Sequence, residues 1–265
     1  MLIKADAAQL EWRVKVFLAQ DKVGMQEIEE VDSGVRQSLH TENMERFHLP
    51  NKTVAKNFLY RMIFADSFGP QGMKGPAYAY TNDSKFAPTS KSVKFWEKAI
   101  ERFFEKYAGV YQHSVSLIRD ACERGQVVSP SGRCYQYRTY PNWNGEAEWP
   151  RTQILNHIVQ GFSADLMLLA RKYIYEHWNP EWGLLINTVH DDVEADVHND
   201  PGTIYQSSCL MEDAFPEITT GAKKWYGVDL NVTQRGEVKY GGNLHELSMS
   251  KFNRTTFYED FKNLQ

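Results

Sequence analysis

The segment LLINTVHDDVEADV at residues 184–197 constrains the fold more than any other. Two β-rich runs flank His190, Asp191 and Asp192, which places the acids at the bend of a hairpin. A hairpin commits its strands to antiparallel pairing. Leu2 to Ala5 reads as another short strand, and Leu10, Val14, Phe17 and Leu18 then follow helical spacing, so the chain opens as strand, Asp, helix. Helices are predicted over NKTVAKNFLYRMIFADS, near 91–108, near 111–124 and over roughly 150–177, the last with Leu155, Val159, Phe162, Leu166 and Leu169 on its buried side. QVVSPSGRCYQYR reads as a hairpin around Ser131 and Gly132, DLNVTQRGEVKYGGN as strand, and the Gly-, Pro-, Asn- and Ser-rich residues 69–90 as a long loop. Helices grouped around separate hairpins predict an α+β fold with an antiparallel sheet, not alternating βαβ units.

Composition bounds the function. At 265 residues, 42% apolar and 24% charged, the chain can bury one sizeable core or two small ones. The start, MLIKADAAQLEWR, carries charge too early for a secretory signal, and stretches such as Leu166 to Ala170 cannot cross a bilayer. Cys122, Cys134 and Cys209 lack metal-ligand spacing and suit a reducing interior. The expectation is a cytoplasmic protein with no membrane partner. A net charge of −4 gives no bulk signal for nucleic acid. The charges are segregated, however: residues 51–106 hold ten Lys or Arg against five acids, whereas 186–220 hold eight acids and no Lys or Arg. One region suits phosphates and the other cations, although either could be a solvated face.

Four constellations carry chemistry, each with a plain structural competitor. Asp6 with Gln9, Glu11 and Arg13 is one; Asp followed three residues later by Gln is equally a helix capping box. Asp191 with Asp192 is the second, and acids at a bend are also ordinary turn chemistry. Together, the two loci each place an Asp at the end of an apolar strand, where neighbouring strands could bring both carboxylates to a pair of divalent ions. Lys52, Lys56, Tyr60 and Phe64 are spaced four apart and share one helix stripe, cationic at one end and aromatic at the other. Such a stripe suits a triphosphate bearing a base, or is a snorkelling amphipathic helix. Asn156 and Gln160, again four apart, could hydrogen-bond a minor-groove edge or be exposed amides.

In ADAAQLEWR, KTVAKNFLYRMIF and TVHDDVEADV, taken in that order, the chain resembles motifs A, B and C of family A (DNA polymerase I-like) DNA polymerases. LHTENMERFHLP, the Ser-Gly-Arg of 131–133 and NHIVQGFSADLMLLAR also resemble family segments, so the likeness covers nearly the whole chain. The resemblance implies a polymerase palm with an antiparallel sheet, over 1–33 and 110–265, and a mostly helical fingers subdomain over 34–109. It implies a template-directed DNA polymerase adding deoxynucleoside triphosphates to a primer on primer-template DNA. Asp6 and Asp191 would hold two Mg2+ ions, and Lys56 would neutralise the incoming phosphates with Lys52 beside it. Tyr60 and Phe64 would pack near the base or sugar, Gln9 would belong to the nucleotide site, and Glu11 would crowd the sugar 2′ position. His190 and Asp192 would support the primer end, while Arg133, Asn156 and Gln160 would contact the duplex.

Several positions depart from the family pattern. Lys52 stands where Arg is usual and loses bidentate geometry, Phe64 replaces a Tyr, Arg61 follows Tyr60 where Gly is expected, and Asp192 replaces Glu. With motif A beginning at residue 6, the resemblance implies that the thumb and early palm would come from a second chain, as in a split phage-type polymerase. A thumbless chain should grip DNA weakly and in a salt-sensitive way. Three alternatives remain: a single-subunit RNA polymerase relative, against which Glu11 speaks; a catalytically inactive nucleotide- or DNA-binding relative; and a metal phosphohydrolase using His190 and Asp191, whose His-Asp pair would belong on a helix.

Overall fold

A computed structural model describes residues 1–64, 77, 80–81, 91–245 and 249–263. The order is β1 (Leu2–Ala7), α1 (Leu10–Ala19), α2 (Lys22–Asp32), α3 (Leu39–Arg46), α4 (Lys52–Phe64), α5 (Val93–Lys106), α6 (Ala108–Arg124), β2 (Gln126–Val128), β3 (Cys134–Gln136), β4 (Tyr140–Pro141), β5 (Ala147–Glu148), α7 (Arg151–His177), β6 (Gly183–Asn187), β7 (Asp192–Val197), α8 (Pro201–Asp213), α9 (Glu217–Tyr226), β8 (Gly236–Gly241), β9 (Ser250–Lys251) and α10 (Phe257–Lys262). Two compact units result, Met1–Leu10 with Ser163–Gln265, and Glu11–Phe162. The fold class is α+β, with every described strand pairing antiparallel.

The first unit is built on a five-stranded sheet of order β6-β7-β1-β8-β9. Register follows from the two-residue alternation of side chains, because directly opposed residues share a face. Lys4 opposes Glu194 and Lys239, and Asp6 opposes Asp192 and Glu237, so one face of the sheet is ionic. Ile3, Ala5, Val193, Ala195, Val238 and Tyr240 form the other face and are buried. Helix α8 packs on that sheet through Ile204 and Met211. Gly236 is required there, since a Cβ on it would lie 2.0 Å from the Phe215 ring.

Among its described residues the second unit is built of helices and two small hairpins, β2–β3 and β4–β5. Its core is aromatic: Phe58 meets Phe47, Trp96 and Phe103 with ring centroids 5.8 to 6.2 Å apart, and Trp12 meets Tyr107 at 4.9 Å. Burying each such ring contributes roughly 2 to 3 kcal/mol before ordering costs. Helix ends carry their own signals. Asn51 Oδ1 accepts from Val54 N at 2.9 Å to start α4, Ser92 caps α5 through Phe95 N, and Gly125 closes α6 at φ 68°.

Two sequence expectations need correction. The residues described within 69–90, Ala77, Tyr80 and Thr81, are helical, and Tyr80 is buried against Phe58 and Trp96; the rest of that segment lies outside the described residues. The strand expected from Asp229 to Asn243 is confined to β8. No helix among the described residues is long and apolar enough to cross a membrane.

Candidate functional site

Strand β1 delivers Asp6, and the β6–β7 bend delivers Asp191. Asp6 lies inside a strand that runs to Ala7, while α1 starts only at Leu10, so the capping-box reading of Asp6 and Gln9 fails. Ala7 N donates to Asp191 O at 3.1 Å, which places the two acids on adjoining backbone segments of one sheet end. Their carboxylates feel each other. Partial burial, then the negative charge of Asp191, push the Asp6 carboxyl up to about 6, with Lys4 and Lys239 opposing. A carboxylate held this way is short of positive charge. Magnesium usually takes one or two protein carboxylates and completes its shell with water and substrate oxygens, so this donor pair fits it. Among the described residues no group of three or more His, Cys, Asp or Glu is arranged to hold a metal.

The turn itself is closely specified. Asp192 N donates to Val189 O at 3.0 Å, and Asp192 Oδ1 accepts from Val189 N at 3.0 Å. His190 takes the left-handed conformation at φ 54°, which costs a non-glycine residue about 1 to 3 kcal/mol. Its carbonyl accepts from Arg171 on α7 at 2.7 Å. Asp192 is buried and its Oδ2 meets Lys4 Nζ at 2.7 Å. Lys4 is held above its ordinary range, chiefly by this hydrogen bond with Asp192 and against the cost of burial. Asp192 thus serves the sheet and the turn, whereas His190 is exposed at the bend. Gln9 sits between β1 and α1 with φ 57°.

In the second unit, α4 buries Val54, Ala55, Phe58, Leu59, Met62 and Ile63 and presents the predicted stripe on another face. Lys52 and Lys56 are exposed; Tyr60 and Phe64 are half-buried. Lys56 Nζ stands 5.8 Å from the Tyr60 ring centroid, and the Tyr60 and Phe64 rings stack at 6.1 Å. Glu11 falls in the first turn of α1. Arg13, from the same motif, is buried and forms a two-pronged pair with Asp32 at 2.7 Å on each prong, which makes it a structural residue.

Hairpin β2–β3 docks on α7. His157 stacks on Tyr135 and Tyr137 at 5.4 and 5.8 Å, and a Cβ at Gly161 would fall 1.6 Å from the Tyr135 hydroxyl. The helix segment bearing Asn156 and Gln160 therefore lies beside the hairpin bearing exposed Arg133. Gln160 is exposed, and Asn156 Oδ1 is buried without a hydrogen-bond partner among the described residues.

Sequence reasoning missed Lys4 and Arg171. Alternation along LIKADA puts Lys4 on the Asp6 face and was legible in principle; a contact between residues 171 and 190 leaves no local trace.

No protein-family model and no curated protein matches the chain. Among solved structures it is similar to the POL domain of Pol1 from M. smegmatis in complex with DNA primer-template and dNTP, at a TM-score of 0.65 and 19% sequence identity. The match covers 91% of this chain and 39% of that one, so the chain spans about two fifths of its neighbour's length. At that identity the likeness is one of architecture: the chain has the fold of a DNA polymerase domain.

Proposed function

We propose that the chain is the catalytic part of a template-directed DNA polymerase, joining deoxynucleotides to a primer 3′-hydroxyl. The observation that carries the reading is the placement of Asp6 and Asp191 on adjoining segments at one end of the sheet, where burial and then the negative charge of Asp191 push the Asp6 carboxyl up to about 6. The polymerase fold of the neighbour, which was solved with primer-template and dNTP, supports the same class of substrate.

When bound, two magnesium ions would lower the pKa of the primer hydroxyl and offset charge on the triphosphate. Asp6 and Asp191 would hold them. Lys56 would neutralise the incoming phosphates, with Lys52 adding charge and Tyr60 and Phe64 offering ring faces to the base or sugar. Glu11 would disfavour a 2′-hydroxyl, Gln9 would line the nucleotide site, and Arg133, Asn156 and Gln160 would lie along the duplex with His190 near the primer end. Palm is assigned to 1–33 and 110–265 and fingers to 34–109. A second chain bearing a thumb also belongs to the proposal, since backbone contacts from such a subdomain would add to the electrostatic hold on the duplex.

Magnesium-dependent primer extension by the purified chain, with and without a candidate thumb-bearing chain, tests the reading. Template-directed addition of deoxynucleotides is expected, more processive with the partner. No addition under either condition, at low salt and saturating magnesium, refutes it.

A further inference from the structure

We infer that Arg171 is a positioning residue for Asp191, fixing the direction in which that carboxylate points; the inference rests on the two-carboxylate metal chemistry proposed above. The bond from Asp192 N to Val189 O closes a four-residue turn in which His190 is second and Asp191 third. The peptide joining His190 to Asp191 is the central unit of that turn. Such a unit can flip by half a rotation through compensating changes in ψ of the second residue and φ of the third, leaving the flanking residues in place. A flip would move the Asp191 nitrogen and tilt its Cα–Cβ bond.

Both peptides flanking Asp191 are held. Its own carbonyl accepts from Ala7 N at 3.1 Å, which ties the outgoing side to β1. On the incoming side the group that would swing is the His190 carbonyl, and Arg171 holds it at 2.7 Å. Local conformation does not favour this arrangement, because His190 occupies the left-handed region at φ 54°, where glycine is the usual residue. Arg171 supplies a charged donor from a different element, the long helix α7, whose second half lines a groove with Ile186, Asn187 and Val193 of the catalytic hairpin. The helix thus reads the turn's orientation through one hydrogen bond.

The test compares wild type, R171K, R171M and D191N in the full chain. Single-nucleotide addition to an annealed primer-template gives kcat and the nucleotide KM. Mn2+ binding to the protein without DNA is followed by electron paramagnetic resonance, and the melting temperature is recorded for each variant. R171M is expected to lose about 10- to 100-fold in kcat with an unchanged KM, and to bind Mn2+ more weakly by a similar factor. R171K, which keeps a donor, should lie between wild type and R171M on both measures, with all melting temperatures close together. Wild-type kcat and Mn2+ affinity in R171M overturn the inference, as does equal impairment of both variants that tracks a fall in melting temperature. D191N without nucleotidyl transfer beside an unimpaired R171M sinks the inference alone. D191N indistinguishable from wild type removes the metal chemistry itself, and the role of Arg171 with it.

Discussion

Lys15 is a fully buried cation whose cost to the fold can be worked out. It is 0% exposed, and among the described residues its hydrogen-bond partner is the Ser114 hydroxyl at 2.8 Å, which in turn donates to Val110 O at 2.9 Å. Burial pushes its ammonium from the ordinary 10.5 down to about 7. That gap is worth roughly 5 kcal/mol at about 1.4 kcal/mol per pH unit. The sign follows from proton binding. Below 10.5 the unfolded chain takes up the proton, while the folded chain refuses it until the pH nears 7. Between those values the unfolded state holds more protons, so stability rises with pH, and the cost is carried in full below about 7. Wild type should gain about 3 kcal/mol from pH 7 to pH 9.5 through this residue. K15M removes the charge at similar length and leaves Ser114 its Val110 acceptor, so it should be more stable at pH 7 by about 1 to 4 kcal/mol and lose that part of the pH slope. Burial and the Lys15 charge push the neighbouring His113 down to about 3, so its own cost begins only below its ordinary value and stays outside this window. Urea unfolding of both proteins at the two pH values measures the difference. Equal pH slopes would refute the assignment of a buried, nearly neutral lysine.

Three further outcomes are expected. D6N should reduce nucleotidyl transfer to below about a thousandth of wild type in single-turnover assays. The same variant should be more stable at pH 8 by about 1 kcal/mol in urea unfolding, after discounting for its partial exposure, because the burial cost of the charge and the repulsion from Asp191 are both relieved. R13M should cost about 3 kcal/mol by urea titration, since it strands Asp32 without its two-pronged partner; a cost under about 0.5 kcal/mol would show the pair to be idle. G161A should destabilise by about 1 to 3 kcal/mol and weaken duplex binding in a filter or anisotropy assay, because the β2–β3 hairpin must move away from α7. Y135A should restore part of both losses in the double variant.

The elements that sequence reading located are those with strong local grammar. The β6–β7 bend, the end of α6 near residue 124 and the four-residue spacing of Lys52, Lys56, Tyr60 and Phe64 each announce themselves within a few residues. Failures have physical causes. Asp6 and Gln9 have capping-box spacing, but the apolar alternation of β1 continues past Asp6, and pairing with β7 and β8 outcompetes a cap. Leu230, Val232 and Gln234 keep the alternating burial of a strand without belonging to one: a period of two reports which side faces the core, whereas a strand needs a neighbour's backbone. Around Tyr80, glycine and proline nearby suggested loop, although the tyrosine is bound into an aromatic cluster that composition cannot reveal. Lys4 meets Asp192, and Arg171 meets the His190 carbonyl, through contacts of long sequence separation that leave no local pattern.

The register of β1 makes the sheet a ruler for the chemistry. Asp6 opposes Asp192 on one side and Glu237 on the other, with Ala5 and Ala7 turned toward the apolar layer. Losing or gaining one residue between Leu2 and Asp6 would invert the strand, send the acid into that layer and bring an alanine to the ionic face. Length variation in this protein should therefore gather in its turns and surface hairpins, while the spacing from the first strand residue to the first acid stays fixed even where the side chains between them drift.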